Sequence, residues 1–247
     1  MNSVFNVIKK PSNLYIVAVE GLDATGKETF VKSLIDYIRE FSWGNDVNVI
    51  HHAFPTYDSE IGKHIKTILN TPHEERDNVM LDDLMFHDRI VQMINITNNV
   101  RLDKRPTILI LDRYYFSNFV YSVQNSYLTE KRFELEAMTL PKPNLVIHFI
   151  PTTENGIVIH KKQIEEKADK DLNEVYSFQE MLMTKYMTKF KYSVDFYKDL
   201  DDTIAGYTTG EATLQMMNDV GSNYGNLNKE SEIVSLFTSW AHSKDML

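Results

Sequence analysis

The chain of 247 residues contains no cysteine, which excludes disulfides and thiolate metal centres. No apolar stretch approaches the roughly 20 residues that cross a bilayer, so no membrane partner is expected. The opening segment, MNSVFNVIKKP, lacks the basic region and apolar run of a secretion signal. A cytoplasmic location is the expectation. Basic residues are a minority: 26 Lys and Arg stand against 35 Asp and Glu, for a net charge of −9. Surfaces built for DNA or RNA carry a basic excess, so no nucleic acid is expected as partner. Internal repeats and low-complexity linkers are also missing. What remains is ordinary globular composition, 43% hydrophobic and 25% charged, which suits a single domain over residues 1–247.

Four apolar runs read as strands: Tyr15–Glu20, Val47–Phe54, Thr107–Asp112 and Asn144–Ile150. Helical patterns lie between them, at Ile61–Leu69, at Met80–Val100 and around Lys131–Met138. Strands alternating with helices predict an α/β fold, a parallel sheet covered on both faces. Ligands then bind beyond the carboxyl ends of the strands. Thr152–Lys191 reads as charged and helical, with Val175, Phe178, Leu182, Tyr186 and Phe190 at helical spacing. Asp199–Asp202 and Gly221–Asn228 read as loops, and Lys229–Trp240 as a closing helix. No fifth strand is evident in 199–247, which stays without an assignment.

The first strand runs into Gly21-Leu22-Asp23-Ala24-Thr25-Gly26-Lys27, and Phe30, Leu34, Ile38 and Phe41 follow at helical spacing. This is the P-loop spacing in its required place, after a strand and before a helix. Glycines allow a tight turn whose N–H groups converge on a phosphate. Lys27 adds a charge that reaches the β- and γ-phosphates, and the helix N-terminus adds its positive end. Gly21, Ala24, Thr25, Gly26, Lys27, Glu28 and Thr29 are therefore the candidates for ATP binding. Glu28 stands where this loop usually carries the magnesium-binding Ser or Thr. A carboxylate can coordinate magnesium but repels phosphate, and Thr29 comes one residue late.

The third strand ends in Asp112-Arg113-Tyr114. In a P-loop protein an Asp at such a strand end is the expected carboxylate on the magnesium side; the alternative is a helix cap. Arg113 beside it can grip a phosphate with two hydrogen bonds. Two cations near one cleft, Arg89 and Arg113, point to an anionic acceptor. A nucleoside kinase must deprotonate a neutral hydroxyl and needs a general base. A monophosphate acceptor needs positive charge instead. The second strand ends in Phe-Pro-Thr-Tyr, without a carboxylate, and so leans towards the monophosphate.

Together these motifs resemble the thymidylate kinase family, from about Tyr15 to about Tyr186. The family's E-G-x-D-x-x-G-K loop is matched by Glu20–Lys27, its F-P segment by Phe54-Pro55, its D-R-Y by Asp112–Tyr114, and its P-K-P-D-L-V by Pro141–Val146. The resemblance implies a P-loop three-layer fold of about five parallel strands with a helical lid near 152–174. It implies ATP as donor, Mg2+ as cofactor, dTMP as favoured acceptor and a homodimer. It places Asp23 at the acceptor sugar and Arg89 at the pyrimidine. Arg113 would hold the acceptor phosphate and Asp112 the metal, with Glu28 a second metal candidate. Lys27, Asp112 and Arg113 are the expected catalytic set. Phe54, Pro55, Tyr57, Ser117 and Tyr121 complete the acceptor side, where the Ser117-to-Tyr121 spacing resembles the family's screen of the sugar 2′-position.

The chain departs from the family in four places, which makes it a divergent member. Glu28 replaces a hydroxyl residue, and Tyr57 stands where many members have an Arg. Ala24 occupies the loop position where some carry a catalytic Arg, and no Arg follows Arg132. The lid's candidate cations are therefore Lys161, Lys162, Lys167 and Lys170, with Asp171 and Glu174 at its acidic end. Lysine neutralises phosphate charge without the bidentate fork of Arg. Finally, the family's C-terminal strand is not evident. A deoxynucleoside kinase and a catalytically impaired nucleotide-binding homologue remain the alternatives.

Overall fold

A computed structural model describes residues 7–40, 46–123, 126–149, 154–167 and 175–198. The four expected strands are present: β1 (Leu14–Gly21), β2 (Asn48–Ala53), β3 (Thr107–Asp112) and β4 (Leu145–Phe149). They form one parallel sheet in the order β2-β3-β1-β4. Among the described residues the sheet has these four strands, fewer than the resemblance implied. Burial on both faces explains why the central strands read as unbroken apolar runs. Val17, Val19, Ile108, Ile110 and Ile147 face Phe30, Val31, Leu34 and Ile38 of α1 (Lys27–Glu40). Ile16, Ala18, Leu109, Leu111 and Val146 face the opposite core.

That second core is supplied by α3 (Asn78–Leu102), α4 (Tyr115–Tyr121), α5 (Ser126–Thr139) and α7 (Tyr176–Lys198), through residues such as Met93, Phe116, Phe133 and Leu182. The shorter α2 (Glu60–Leu69) packs Ile65 and Leu69 against Leu81 of α3. Ser59 caps α2, its hydroxyl accepting from Gly62 N at 2.9 Å. The stretch expected as one charged helical region is two helices, α6 (Glu154–Glu166) and α7. Residues 168–174 between them lie outside the described residues, and with them Lys170, Asp171 and Glu174. So do the predicted loops and closing helix beyond residue 198, and the side chain of Phe190.

Candidate nucleotide site

The loop after β1 has the backbone its sequence calls for. Gly21 has φ 141° and Gly26 has φ 85°, both in the region that favours glycine, and Ala24 also has φ 54°. A Cβ on Gly21 would fall 2.2 Å from Phe149 O, so β4 requires glycine there. Thr25 turns its hydroxyl inward and donates to Leu22 O at 2.8 Å. Lys27 is buried and its ammonium donates to the same carbonyl. Burial, and then repulsion from Arg113, bring the Lys27 pKa down to about 8 against the attraction of Asp23, Asp112 and Glu20.

Arg113 joins this loop to the acceptor side. Its backbone has φ 66°, an unusual conformation for a non-glycine residue that turns the chain sharply at the end of β3. Arg113 Nη1 donates to Gly21 O at 3.0 Å and to Ser117 Oγ at 3.2 Å; Nη2 donates to Tyr121 OH at 3.2 Å. Nη2 also forms an ion pair with Asp23. Asp23 in turn accepts from Tyr121 OH and Gln179 Nε2, each at 2.9 Å. Burial works to raise the Asp23 pKa, but Arg113, Lys27 and these hydrogen bonds outweigh it and bring the pKa to about 2. Beneath Arg113, Ser117 Oγ donates to Glu20, which also accepts from Tyr114 N at 2.9 Å. Burial pushes the Glu20 carboxyl up, opposed by Ser117 and Arg113.

A single cleft is lined by Asp23, Phe54, Pro55, Tyr57, Arg89, Arg113, Ser117 and Tyr121. The structure thus brings every residue expected on the acceptor side to one place. Tyr57 is 43% exposed at its mouth. Arg89 is fully within the protein, forked onto Glu136. Asp112 stands at the end of β3 with its Oδ1 buried and without a hydrogen-bond partner among the described residues. A buried unpaired carboxylate oxygen is costly unless a cation or donor arrives. It fits one inner ligand of a magnesium ion, which takes only one or two carboxylates and completes its shell with water and phosphate.

Other expected residues lie apart from the cleft. Glu28 is exposed and pairs with Lys32 at 2.9 Å along α1, and Thr29 is exposed on the same helix. Lys161 stands 4.0 Å from Glu165 and 5.2 Å from the centre of the Tyr176 ring; Lys162 stands 3.8 Å from Glu166. These two lysines, with the exposed Lys167, lie outside the lining of the cleft. Two polar residues unmarked in the sequence hold the P-loop from above. Gln179 Oε1 accepts from Asp23 N at 3.1 Å, and His160 Nε2 lies 2.8 Å from Asp23 O. A third, Asp88, accepts from Thr56 N at 2.7 Å and so holds the segment after Phe54-Pro55. Asp82, Asp88 and Arg89 occupy the stripe of α3 that also carries Leu81 and Met85. Polar residues on an apolar stripe were the available signal for a buried network.

Comparison with known proteins gives a consistent family. The thymidylate kinase model matches residues 19–198, most of the chain. A thymidylate kinase from Caenorhabditis elegans is 30% identical over 139 residues, which are 54% of this chain and 62% of that protein. A probable thymidylate kinase from Archaeoglobus fulgidus is 29% identical over 143 residues, 53% of this chain and 62% of its own length. One from Methanococcus aeolicus is 28% identical over 180 residues, 71% and 78% of the two chains. The chain thus spans about three-fifths of the length of the first two relatives. The solved structure of thymidylate kinase from Candida albicans superposes with a TM-score of 0.51 at 20% identity, covering 70% of this chain and 76% of that one, which supports the fold.

Proposed function

The chain belongs to the thymidylate kinase family, and from that membership we propose that it transfers the γ-phosphoryl group of ATP to a deoxynucleoside monophosphate, dTMP first among them, to give dTDP and ADP. The observation that carries this reading is the position of Arg113. Its guanidinium is tied to the P-loop through Gly21 and Asp23, yet lines the acceptor cleft. A fixed cation between two anionic substrates lowers the cost of bringing them together. Lys27 and the loop N–H groups hold the donor phosphates, and Arg113 holds the acceptor phosphate. Asp112 would hold Mg2+, whose chemistry is to neutralise charge on the phosphates being transferred. Asp23 and Tyr121 face the acceptor sugar. The finer readings that go with this are a homodimer and a cytoplasmic location; no helix among the described residues is long and apolar enough to cross a membrane.

The nucleoside kinase alternative requires a carboxylate able to take a proton from a sugar hydroxyl. Among the described residues, the two carboxylates lining the cleft are Asp23 and Asp82. Asp23, with its pKa near 2 and three donors on it, is a weak base. Asp82 accepts from Ser122 Oγ at 2.8 Å. Neither is arranged as a base. The test offers purified protein, ATP and Mg2+ to each dNMP and each deoxynucleoside in turn and follows ADP release, with Lys27→Ala as background. Turnover of dTMP and not thymidine is expected. Turnover of thymidine with little on dTMP would establish the nucleoside kinase, and a folded protein that turns over neither would be the impaired homologue.

A further inference from the structure

Glu136 is a buried carboxylate that the phosphate chemistry leaves unused. It sits on α5 with 1% exposure. Its Oε2 accepts from Arg89 Nε at 2.9 Å, and its Oε1 accepts from Arg89 Nη2 at 3.1 Å. The same Oε1 accepts from Asn118 Nδ2 at 2.7 Å. Three helices thus meet at one carboxylate: α3 brings Arg89, α4 brings Asn118 and α5 brings Glu136. Arg89 and Asn118 line the cleft; Glu136 stands behind them.

A carboxylate paired with Arg can only accept hydrogen bonds. Asn118 must therefore turn its NH2 group towards Glu136, which leaves Oδ1 as its free acceptor. Arg89 uses Nε and Nη2 on Glu136, which leaves Nη1. Neither atom has a hydrogen-bond partner among the described residues. Each of these two cleft-lining residues thus keeps an atom outside the network, a donor on Arg89 and an acceptor on Asn118. Without Glu136 the Asn118 amide could present either end, and the Arg89 side chain could turn.

We propose that Glu136 is a positioning residue that sets the polarity of base recognition, holding Arg89 as donor and Asn118 as acceptor towards the imide edge of a thymine or uracil. This rests on the reading of the cleft as a dNMP site. The imide edge has a carbonyl O4 that accepts and an N3–H that donates, which complements Nη1 and Oδ1. Cytosine reverses both, with a donating N4 amine and an accepting N3. A cytosine in the cleft would set donor against donor and acceptor against acceptor, leaving buried groups unpaired. Uracil carries the same edge as thymine, so this device passes dUMP as well as dTMP and does not read the thymine methyl.

Calorimetric titration of the full chain with dTMP, dUMP and dCMP tests this. The wild type is expected to bind dTMP and dUMP within about tenfold of one another and dCMP at least roughly a hundredfold more weakly. If it binds none of the three, the dNMP reading itself falls. If it binds dTMP and dCMP alike, that reading stands and the role of Glu136 falls. Glu136→Gln replaces a pure acceptor with an amide that can donate, so Asn118 can reverse. The dTMP-to-dCMP preference should narrow about tenfold, while affinity for a non-hydrolysable ATP analogue holds. A merely structural role would weaken both nucleotides equally, and an unchanged preference would overturn the proposal. Asn118→Ala keeps the Arg89–Glu136 pair and decides the matter if Glu136→Gln does not fold: the same narrowing is expected, and its absence overturns the proposal.

Discussion

Lys27 spends its positive charge in a place where charge is costly. Its ammonium is buried, next to Arg113, and held on the carbonyl of Leu22. In the nucleotide-free protein its pKa of about 8 lies well below the ordinary 10.5, so its proton is lost as the pH rises through about 8. Since kcat/KM reports the free enzyme, kcat/KM for ATP should be level up to about pH 7.5 and then fall by roughly tenfold per pH unit. The kcat profile should break later, because bound phosphates favour the ammonium and raise its pKa. The linkage to folding has the opposite sign. Between about pH 8 and about 10.5 the unfolded chain binds more protons than the folded one, so this residue's contribution to stability rises with pH there. A steady-state series from about pH 6.5 to about 9.5 checks the first claim; a kcat/KM for ATP that stays flat to the end of that range would contradict it.

The elements with one dominant physical cause were legible in the sequence. TILILD and LVIHF are apolar runs of six and five residues, too short for helices and rich in β-branched residues, and that combination marks strands buried on both faces. The P-loop was legible because its chemistry is local. By contrast α4 has seven residues and six of them, Tyr115 to Val120, are buried, so no exposed side gives it an amphipathic pattern. The roles of Glu136, Gln179 and His160 depend on partners 47, 156 and 137 positions away, and no spacing rule reaches that far. Nor does the loop pattern describe the pairing of Glu28, whose carboxylate lies 2.9 Å from Lys32 one turn along α1. Gly62 is another element-level constraint. A Cβ there would fall 1.9 Å from Thr56 O and 2.7 Å from Tyr57 Cα, so α2 can approach the segment after Phe54-Pro55 only with glycine at that position. Gly62→Ala should destabilise by about 3 kcal/mol, since backbone must move to admit the methyl. It should also raise KM for dTMP more than KM for ATP, because the displaced segment carries Phe54, Pro55 and Tyr57. Thermal unfolding and the two KM values read this; an unchanged melting temperature would show that the segment yields freely.

At the scale of the whole molecule, the donor loop and the acceptor cleft share their supports. Gly21 O accepts from Arg113 Nη1 at 3.0 Å and from Tyr186 OH at 3.2 Å. Asp23, two residues on, is gripped by Arg113 from the β3–α4 turn and by Gln179 from α7. A dNMP phosphate that draws on Arg113 must alter its pull on Asp23 and Gly21, and so the loop that takes ATP. The two substrates are therefore expected to bind with coupled affinities, in a single arrangement that favours both. Saturating dTMP should tighten binding of a non-hydrolysable ATP analogue by about fivefold, and by thermodynamic necessity the analogue should tighten dTMP equally. Gln179 is fully buried, so Gln179→Leu keeps the volume and removes both hydrogen bonds to Asp23. With α7 released from the loop, most of the coupling should disappear while each nucleotide still binds alone. Calorimetric titration of each ligand with and without the other, in wild type and variant, measures this directly. Identical affinities in the wild type with and without the second nucleotide would mean that the shared supports hold the two sites in place without linking them.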